Sequence, residues 1–202
     1  RILSFQSHRS AFVCSEDSVI LKIPNGCDLN KAATTFLYHL GYESLLKGHF
    51  KPGHNVAVIG LGTLGIATVD VGCRYGANVF AFSNQGHSLK LARELGSKLC
   101  FRKNDANFME EIEVATHGIG IDIVITTANT WNDWKLALEV IRDEGTICVL
   151  GFPGRTQPLP DFNPLEPQYL YFKKLSVVYC GYTPDYLIPP KDIRFTRKRN
   201  CE

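Results

Sequence analysis

One stretch constrains the chain more than any other: an apolar run that breaks into three spaced glycines, Asn55-Val56-Ala57-Val58-Ile59-Gly60-Leu61-Gly62-Thr63-Leu64-Gly65. Val56 to Gly60 are β-branched or small, the composition of a strand buried on both faces of a sheet. Ile66-Ala67-Thr68-Val69-Asp70-Val71 then follows with helical spacing, so the glycines occupy a strand-to-helix turn. In such a turn Gly60 permits the tight bend, Gly62 lets backbone approach a pyrophosphate, and Gly65 lets the helix lie close to the sheet. The phosphates would meet free N–H groups and the positive end of the helix dipole. Glycines also mark ordinary turns, so the dinucleotide reading rests on the strand before them and the helix after them.

Strand and helix patterns alternate from His54 onward. The spacing predicts strands over 56–59, 78–82, 99–101, 121–126 and 145–150, with helices over 64–75, 88–95, 107–116 and 131–141 between them. A Pro-rich connection, 151–167, then leads to a last strand over 175–180. Upstream, β-rich runs at 10–14 and 18–24 read as edge strands of a neighbouring sheet. A helix over 28–47 follows, with Asp28 as its N-cap, Ala33, Phe36, Leu37 and Leu40 on one face, and Gly48 and Pro52-Gly53 ending it. Strands alternating with helices of this length imply an α/β fold, a parallel sheet with right-handed crossovers covered on both faces. Ligands of such sheets bind outside the carboxyl ends of the strands where strand order switches. The loops to watch are therefore 60–65, 83–87, 126–130 and 150–154.

The end of the second strand indicates which dinucleotide. NAD-binding folds carry an acidic residue there, about 20 residues past the first glycine, that binds the adenosine ribose hydroxyls. Here the segment reads Phe80-Ala81-Phe82-Ser83-Asn84-Gln85-Gly86-His87-Ser88-Leu89-Lys90, without Asp or Glu. Ser83 and Asn84 can donate to a 2′-phosphate, and Lys90 or His87 can supply charge. The expectation is NADP rather than NAD, with NAD kept open. The plainer alternative is a polar turn and a solvated lysine.

At 202 residues, with 45% hydrophobic and 21% charged residues, the chain can bury a core without staples. A net charge of +2 points to no particular partner. The one basic cluster, Lys191, Arg194, Arg197, Lys198 and Arg199, reads as a solvated helix start or tail, and no nucleic acid is expected. The seven cysteines form no CxxC pair, which argues against a zinc lobe or a disulfide framework and for a reducing, cytoplasmic setting. No apolar run reaches the length of a membrane span, and no signal-peptide pattern opens the chain. Arg1-Ile2-Leu3 and Asn200-Cys201-Glu202 fall in the middle of patterned sequence, as in an excised piece.

Lys51-Pro52-Gly53, the glycine turn, Leu91-Ala92-Arg93-Glu94-Leu95-Gly96 and Gly145-Thr146-Ile147-Cys148-Val149-Leu150-Gly151, in that order, resemble the medium-chain dehydrogenase/reductase family, the zinc alcohol dehydrogenase and quinone reductase group. The resemblance covers nearly the whole chain. It implies a parent of two domains, a GroES-like catalytic half and a Rossmann half. Residues 1–27 would be a remnant of the first, 28–190 the Rossmann doubly wound sheet, and 191–202 the start of a return segment.

Carried over, the resemblance puts Gly60, Gly62, Thr63, Leu64 and Gly65 at the pyrophosphate, and Ser83, Asn84, Gln85 and Lys90 at the adenosine ribose. Thr127, Ala128, Asn129, Leu150, Gly151 and Phe152 fall at the nicotinamide ribose and ring. Where zinc members carry a cysteine ligand this chain has Phe36, so no metal ligand is expected in it. Tyr38, His39 and Tyr42 are the candidates for a catalytic acid, with packed core or interface positions as the plainer reading of each. The implied activity is hydride transfer between NADP(H) and a small-molecule substrate, a carbonyl, alcohol or activated alkene, with the isolated piece inactive. The rival is a non-catalytic nucleotide-binding or scaffold module. The family also implies a homodimer through the last strand, and no membrane partner.

Overall fold

Residues 1–4, 6, 11–15, 18, 20–181, 199 and 201 are described by the computed structural model. They divide into two compact units, one containing the residues up to His39 and the other Leu40–Gly181. The basic cluster apart from Arg199, and most of the expected return segment, lie outside the described residues.

In the first unit β1 (Ile2–Ser4) pairs antiparallel with β2 (Ile20–Lys22), in the register Ile2↔Lys22. The strand expected over 10–14 is corrected, because residues 11–14 carry none and the ladder partner comes from the chain start. The single helix expected over 28–47 is two, α1 (Leu29–Ala32) and α2 (Thr35–Lys47). Asp28 is the N-cap as expected, its carboxylate accepting from the Asn30 N–H at 2.9 Å. The break has a local cause. Thr34 Oγ1 donates to the Lys31 carbonyl at 2.7 Å and Thr35 Oγ1 to the Ala32 carbonyl at 2.8 Å, and such hydroxyls compete with the helical ladder.

In the second unit the elements follow the sequence pattern closely. They are β3 (Asn55–Ile59), α3 (Thr63–Arg74), β4 (Asn78–Phe82), α4 (Gly86–Glu94), β5 (Leu99–Phe101), α5 (Phe108–Thr116) and β6 (Ile121–Thr126). Next come α6 (Trp131–Val140), β7 (Ile141–Val149), α7 (Pro167–Leu170) and β8 (Ser176–Tyr179). All six strands are parallel, in the order β5-β4-β3-β6-β7-β8. The chain runs outward one way from β3 through β5, then restarts at β6 on the other side. That reversal makes the β3–β6 boundary the switch point.

Strand β3 is buried throughout, and its alternate residues feed two cores. Ala57 and Ile59 join Phe80, Phe82, Phe101 and Trp134 on one face. Val58 joins Val69, Val79, Leu89 and Ala92 on the other. A sheet buried on both sides needs apolar residues at consecutive positions, as the run at 56–59 provides. Gly41 lets α2 and α3 touch, since a Cβ there would stand 2.9 Å from the Thr68 Cα.

The strand expected to begin at 145 begins at Ile141. Ile121 pairs with Ile141, after which the register jumps to Ile123↔Thr146. The intervening residues bulge, with Glu144 at φ 60°. A lysine stabilises this junction. Lys173 Nζ donates to the carbonyls of Leu138 at 2.9 Å and Ile141 at 2.8 Å, closing the carboxyl end of α6. Lys173→Met is expected to cost about 2 kcal/mol by leaving part-buried carbonyls without a donor. Urea denaturation checks this, and an unchanged midpoint would mean that water replaces the ammonium.

No helix among the described residues is long and apolar enough to cross a membrane.

Candidate functional site

Every loop at the carboxyl edge of the sheet is tied to its neighbour, and the glycine turn lies at the centre. Gly60 continues the ladder by donating its N–H to the Phe82 carbonyl at 3.0 Å, then turns at φ 93°. Thr127, directly after β6, braces that bend. Its N–H donates to the Ile59 carbonyl at 2.9 Å and its hydroxyl to the Gly60 carbonyl at 2.7 Å. The three glycines then do different work. A Cβ on Gly65 would collide with the Gly60 carbonyl oxygen, so this glycine is required for the helix to meet the strand. A Cβ on Gly62 would meet nothing within 4 Å. Gly62 is the N-cap of α3 and provides no side-chain hydrogen bond. The first-turn N–H groups at Thr63, Leu64 and Gly65 have no intrahelical partner, and the side-chain position of Gly62 just before them is open. That uncapped, side-chain-free cradle fits a phosphate-bearing cofactor.

The nicotinamide-side residues named from sequence come together. The Thr126 carbonyl accepts from the N–H groups of Leu150 and Gly151, both at 2.9 Å. Asn129 Oδ1 accepts from the Phe152 N–H at 2.7 Å. A Cβ on Gly151 would strike the Ala128 carbonyl, so the loops after β6 and β7 touch backbone to backbone. Phe152 is 60% exposed at the end of this assembly.

The residues expected at the adenosine side are each engaged in local contacts. The buried Ser83 hydroxyl accepts from the Gln85 N–H at 3.1 Å, and the Gln85 side chain accepts from the Ser88 hydroxyl at 3.3 Å. Asn84 Oδ1 accepts from the Lys103 N–H at 3.1 Å, joining the loop after β4 to that after β5. Lys90 is turned toward Glu94, 3.9 Å away on the exposed side of α4. A cavity of about 390 Å³ opens beside these loops, lined in part by Asn84, Thr130, Asn132 and Gln157. On its wall Lys103 pairs with Asp133, which is only 4% exposed and also accepts from the Thr130 hydroxyl at 2.6 Å.

Sequence reasoning missed two features here. Lys103 and Arg102 reach this edge because β5 ends beside β4, a pairing that a short three-residue strand only weakly announces. The Pro-rich connection after β7 is held rather than loose. Trp131 Nε1 donates to the Pro158 carbonyl at 3.0 Å, and Trp134 Nε1 to that of Pro164 at 3.1 Å.

Of the proposed acids, Tyr42 is not brought to the turn. Its ring packs 5.3 Å from that of Tyr75, the C-cap of α3, at the opposite end of that helix from Gly62. Burial, and then the neighbouring Tyr75, push its phenol above the ordinary value, which weakens it further as an acid. Tyr38 and His39 belong to the first unit, where the His39 ring lies 6.2 Å from that of Phe36.

The strand order, the switch point and the uncapped glycine turn define a Rossmann-type coenzyme-binding domain. Residues 63–188 match the family model described as zinc-binding dehydrogenase, and the chain belongs to that family. Among curated relatives, the alcohol dehydrogenase of Geobacillus stearothermophilus is 29% identical over 145 residues, 71% of this chain and 42% of its own. The NADP-dependent alcohol dehydrogenase C of Mycobacterium bovis is 27% identical over 159 residues, 78% of this chain and 44% of its own. A putative zinc-binding dehydrogenase of Sinorhizobium meliloti, solved bound to NADP, shares the fold with a TM-score of 0.72 at 23% identity, over 90% of this chain and 50% of that one. The chain thus spans less than half the length of these two curated relatives.

The family name raises the question of zinc. Among the described residues no group of three or more His, Cys, Asp or Glu side chains could hold a metal ion. The donor set does not fit, and no step below passes through a metal.

Proposed function

We propose that this chain is the coenzyme-binding part of an NADP(H)-dependent oxidoreductase that moves hydride to or from a carbonyl, alcohol or activated alkene of a small-molecule substrate. The open space over Gly62, at the uncapped start of α3 and on the switch point, carries the proposal. When bound, the nicotinamide supplies the hydride chemistry. The residues of this chain hold and orient it. The N–H groups of Thr63, Leu64 and Gly65, with Gly60 and Gly62 keeping side chains away, would receive the pyrophosphate. Thr127, Ala128, Asn129, Leu150, Gly151 and Phe152 would border the nicotinamide ribose and ring. Ser83, Asn84, Gln85 and Lys90 would border the adenosine ribose, where the absence of a carboxylate favours NADP over NAD. Charge developing on a substrate oxygen requires a hydrogen-bond donor, for which Tyr38, His39 and Tyr42 are the candidates.

Titration with NADPH and NADH tests this reading. Both tryptophans sit in α6 beside the cavity-lining Asn132 and Asp133, so their fluorescence is the natural signal. Tighter NADPH binding supports the proposal, equal binding removes the NADP preference, and binding of neither removes the reading. The rival, a nucleotide-binding module without turnover, is favoured by Phe36 standing where zinc members carry a cysteine ligand. Hydride transfer from stereospecifically labelled NADPH to aldehydes, quinones and enones, run with the full-length parent, separates the two.

A homodimer through the outer edge of β8, where Val177 and Tyr179 are 37% and 66% exposed, belongs to the same proposal. An unpaired parallel edge of this kind accepts a second sheet. Light scattering should give a dimer, and monomer alone at high concentration would exclude it. The free cysteines suit a reducing compartment, and the proposed location is the cytoplasm. The remnant of a GroES-like domain before residue 28 and the return segment after 190 are part of this proposal.

A further inference from the structure

The adenosine end of the site holds a cation that sequence spacing does not reveal, and its role rests on the coenzyme reading above. Arg102 is the first residue after β5. Because β4 and β5 are parallel with Phe82 opposite Phe101, the chain leaving β5 emerges beside the loop after β4. Arg102 uses that position. Its Nη1 donates to the Asn84 carbonyl at 3.3 Å, and its Nη2 would stand 3.9 Å from a Cβ placed on Gly86. The guanidinium therefore lies over the segment where an NAD-type fold would carry its carboxylate, within van der Waals reach of Gly86.

The backbone beneath is fixed. The Arg102 N–H donates to the Asp105 carboxylate at 2.9 Å, and the Lys103 N–H to Asn84 Oδ1 at 3.1 Å. Among the described residues no carboxylate forms an ion pair with the Arg102 guanidinium, and that charge remains available. The other cations nearby are placed differently. Lys103 is taken by the buried Asp133, and Lys90 lies beside Glu94 with its side chain 80% exposed. Among the described residues only Arg102 combines a charge without a carboxylate partner, a fixed backbone and a position over the loop. Its planar fork also matches two oxygens of a phosphate monoester, which a lysine engages as a point charge.

We propose that Arg102 is the coenzyme-selecting residue of this domain, its guanidinium receiving the 2′-phosphate of NADP(H). Ser83 and Asn84, whose hydrogen-bonding atoms largely serve the loop itself, shape the subsite.

Calorimetry of this chain at fixed ionic strength, with NADPH, NADH, 2′,5′-ADP and 5′-AMP, tests the assignment. The comparison covers the wild type, Arg102→Gln and Arg102→Lys. Arg102→Gln is expected to weaken NADPH and 2′,5′-ADP by about tenfold or more while NADH and 5′-AMP change by less than about twofold, the loss of a charge-assisted hydrogen bond to one group of the ligand. Arg102→Lys should recover part of the difference. Equal weakening of both coenzymes by Arg102→Gln would overturn the proposal, because it would mean that Arg102 only holds the Asn84 carbonyl. An unchanged NADPH-to-NADH ratio in Arg102→Gln would overturn it as well, with the coenzyme reading intact. A wild type that binds neither coenzyme would overturn both together.

Discussion

Gly62→Asp is expected to weaken NADPH binding at least about a hundredfold while leaving the domain folded, because the substitution acts on the ligand and not on the packing. The space around a Cβ at position 62 is empty to 4 Å, and the backbone there is extended at φ −72° and ψ −171°, which any residue adopts. Aspartate is also a good N-cap, and α3 has no side-chain hydrogen bond at its cap. Its carboxylate can accept from the first-turn N–H groups and gain a few tenths of a kcal/mol over glycine. The same carboxylate then fills the cradle proposed for the pyrophosphate and repels it. Calorimetry and a urea midpoint on one preparation separate the effects. Undiminished NADPH affinity would show that the phosphates lie elsewhere.

Gly65→Val should do the opposite, lowering stability by about 3 kcal/mol or more, in the range of severe overpacking. Its Cβ would be driven into the Gly60 carbonyl oxygen, with the carbonyl carbon at 2.9 Å and Thr127 Oγ1 at 3.2 Å. These neighbours are hard to move. Gly60 is already bent at φ 93°, and its carbonyl is held by the Thr127 hydroxyl. Relief would require α3 to retreat from the sheet and uncover Val69 of the second core. Chemical denaturation measures the loss, and a midpoint equal to wild type would mean that the turn relaxes in a way this packing does not allow. Two glycines of one motif are thus expected to fail in different assays.

The second unit was legible in outline from sequence because its signals are local. The strands at 78–82, 99–101 and 121–126 fall where the pattern put them, since an apolar run bounded by turn residues fixes a buried strand without reference to its partners. The first unit was less legible. Residues 11–14 have β-rich composition and no strand, whereas Ile2–Ser4 pairs with β2 across more than fifteen residues of chain. Pairing between distant segments leaves no periodic trace. The break between α1 and α2 depends on two threonine hydroxyls that turn back onto carbonyls, a choice of rotamer rather than of composition.

At the site the division is the same. The amino-acid order alone determined that a strand, a glycine turn and a helix follow one another, that the second strand ends without a carboxylate, and that the chain alternates β and α. Those properties live within one turn or one strand of the chain. Tertiary structure decided what separates Gly62 from Gly65, because only the neighbour across the turn makes one glycine open and the other obligatory. It also removed Tyr42 from the turn by packing it on Tyr75, and joined Thr127 to Gly60 across the switch point. Arg102 came to the loop after β4 for the same reason: β5 lies beside β4, and a guanidinium 18 residues from Asn84 along the chain becomes its neighbour only when the parallel strands pair.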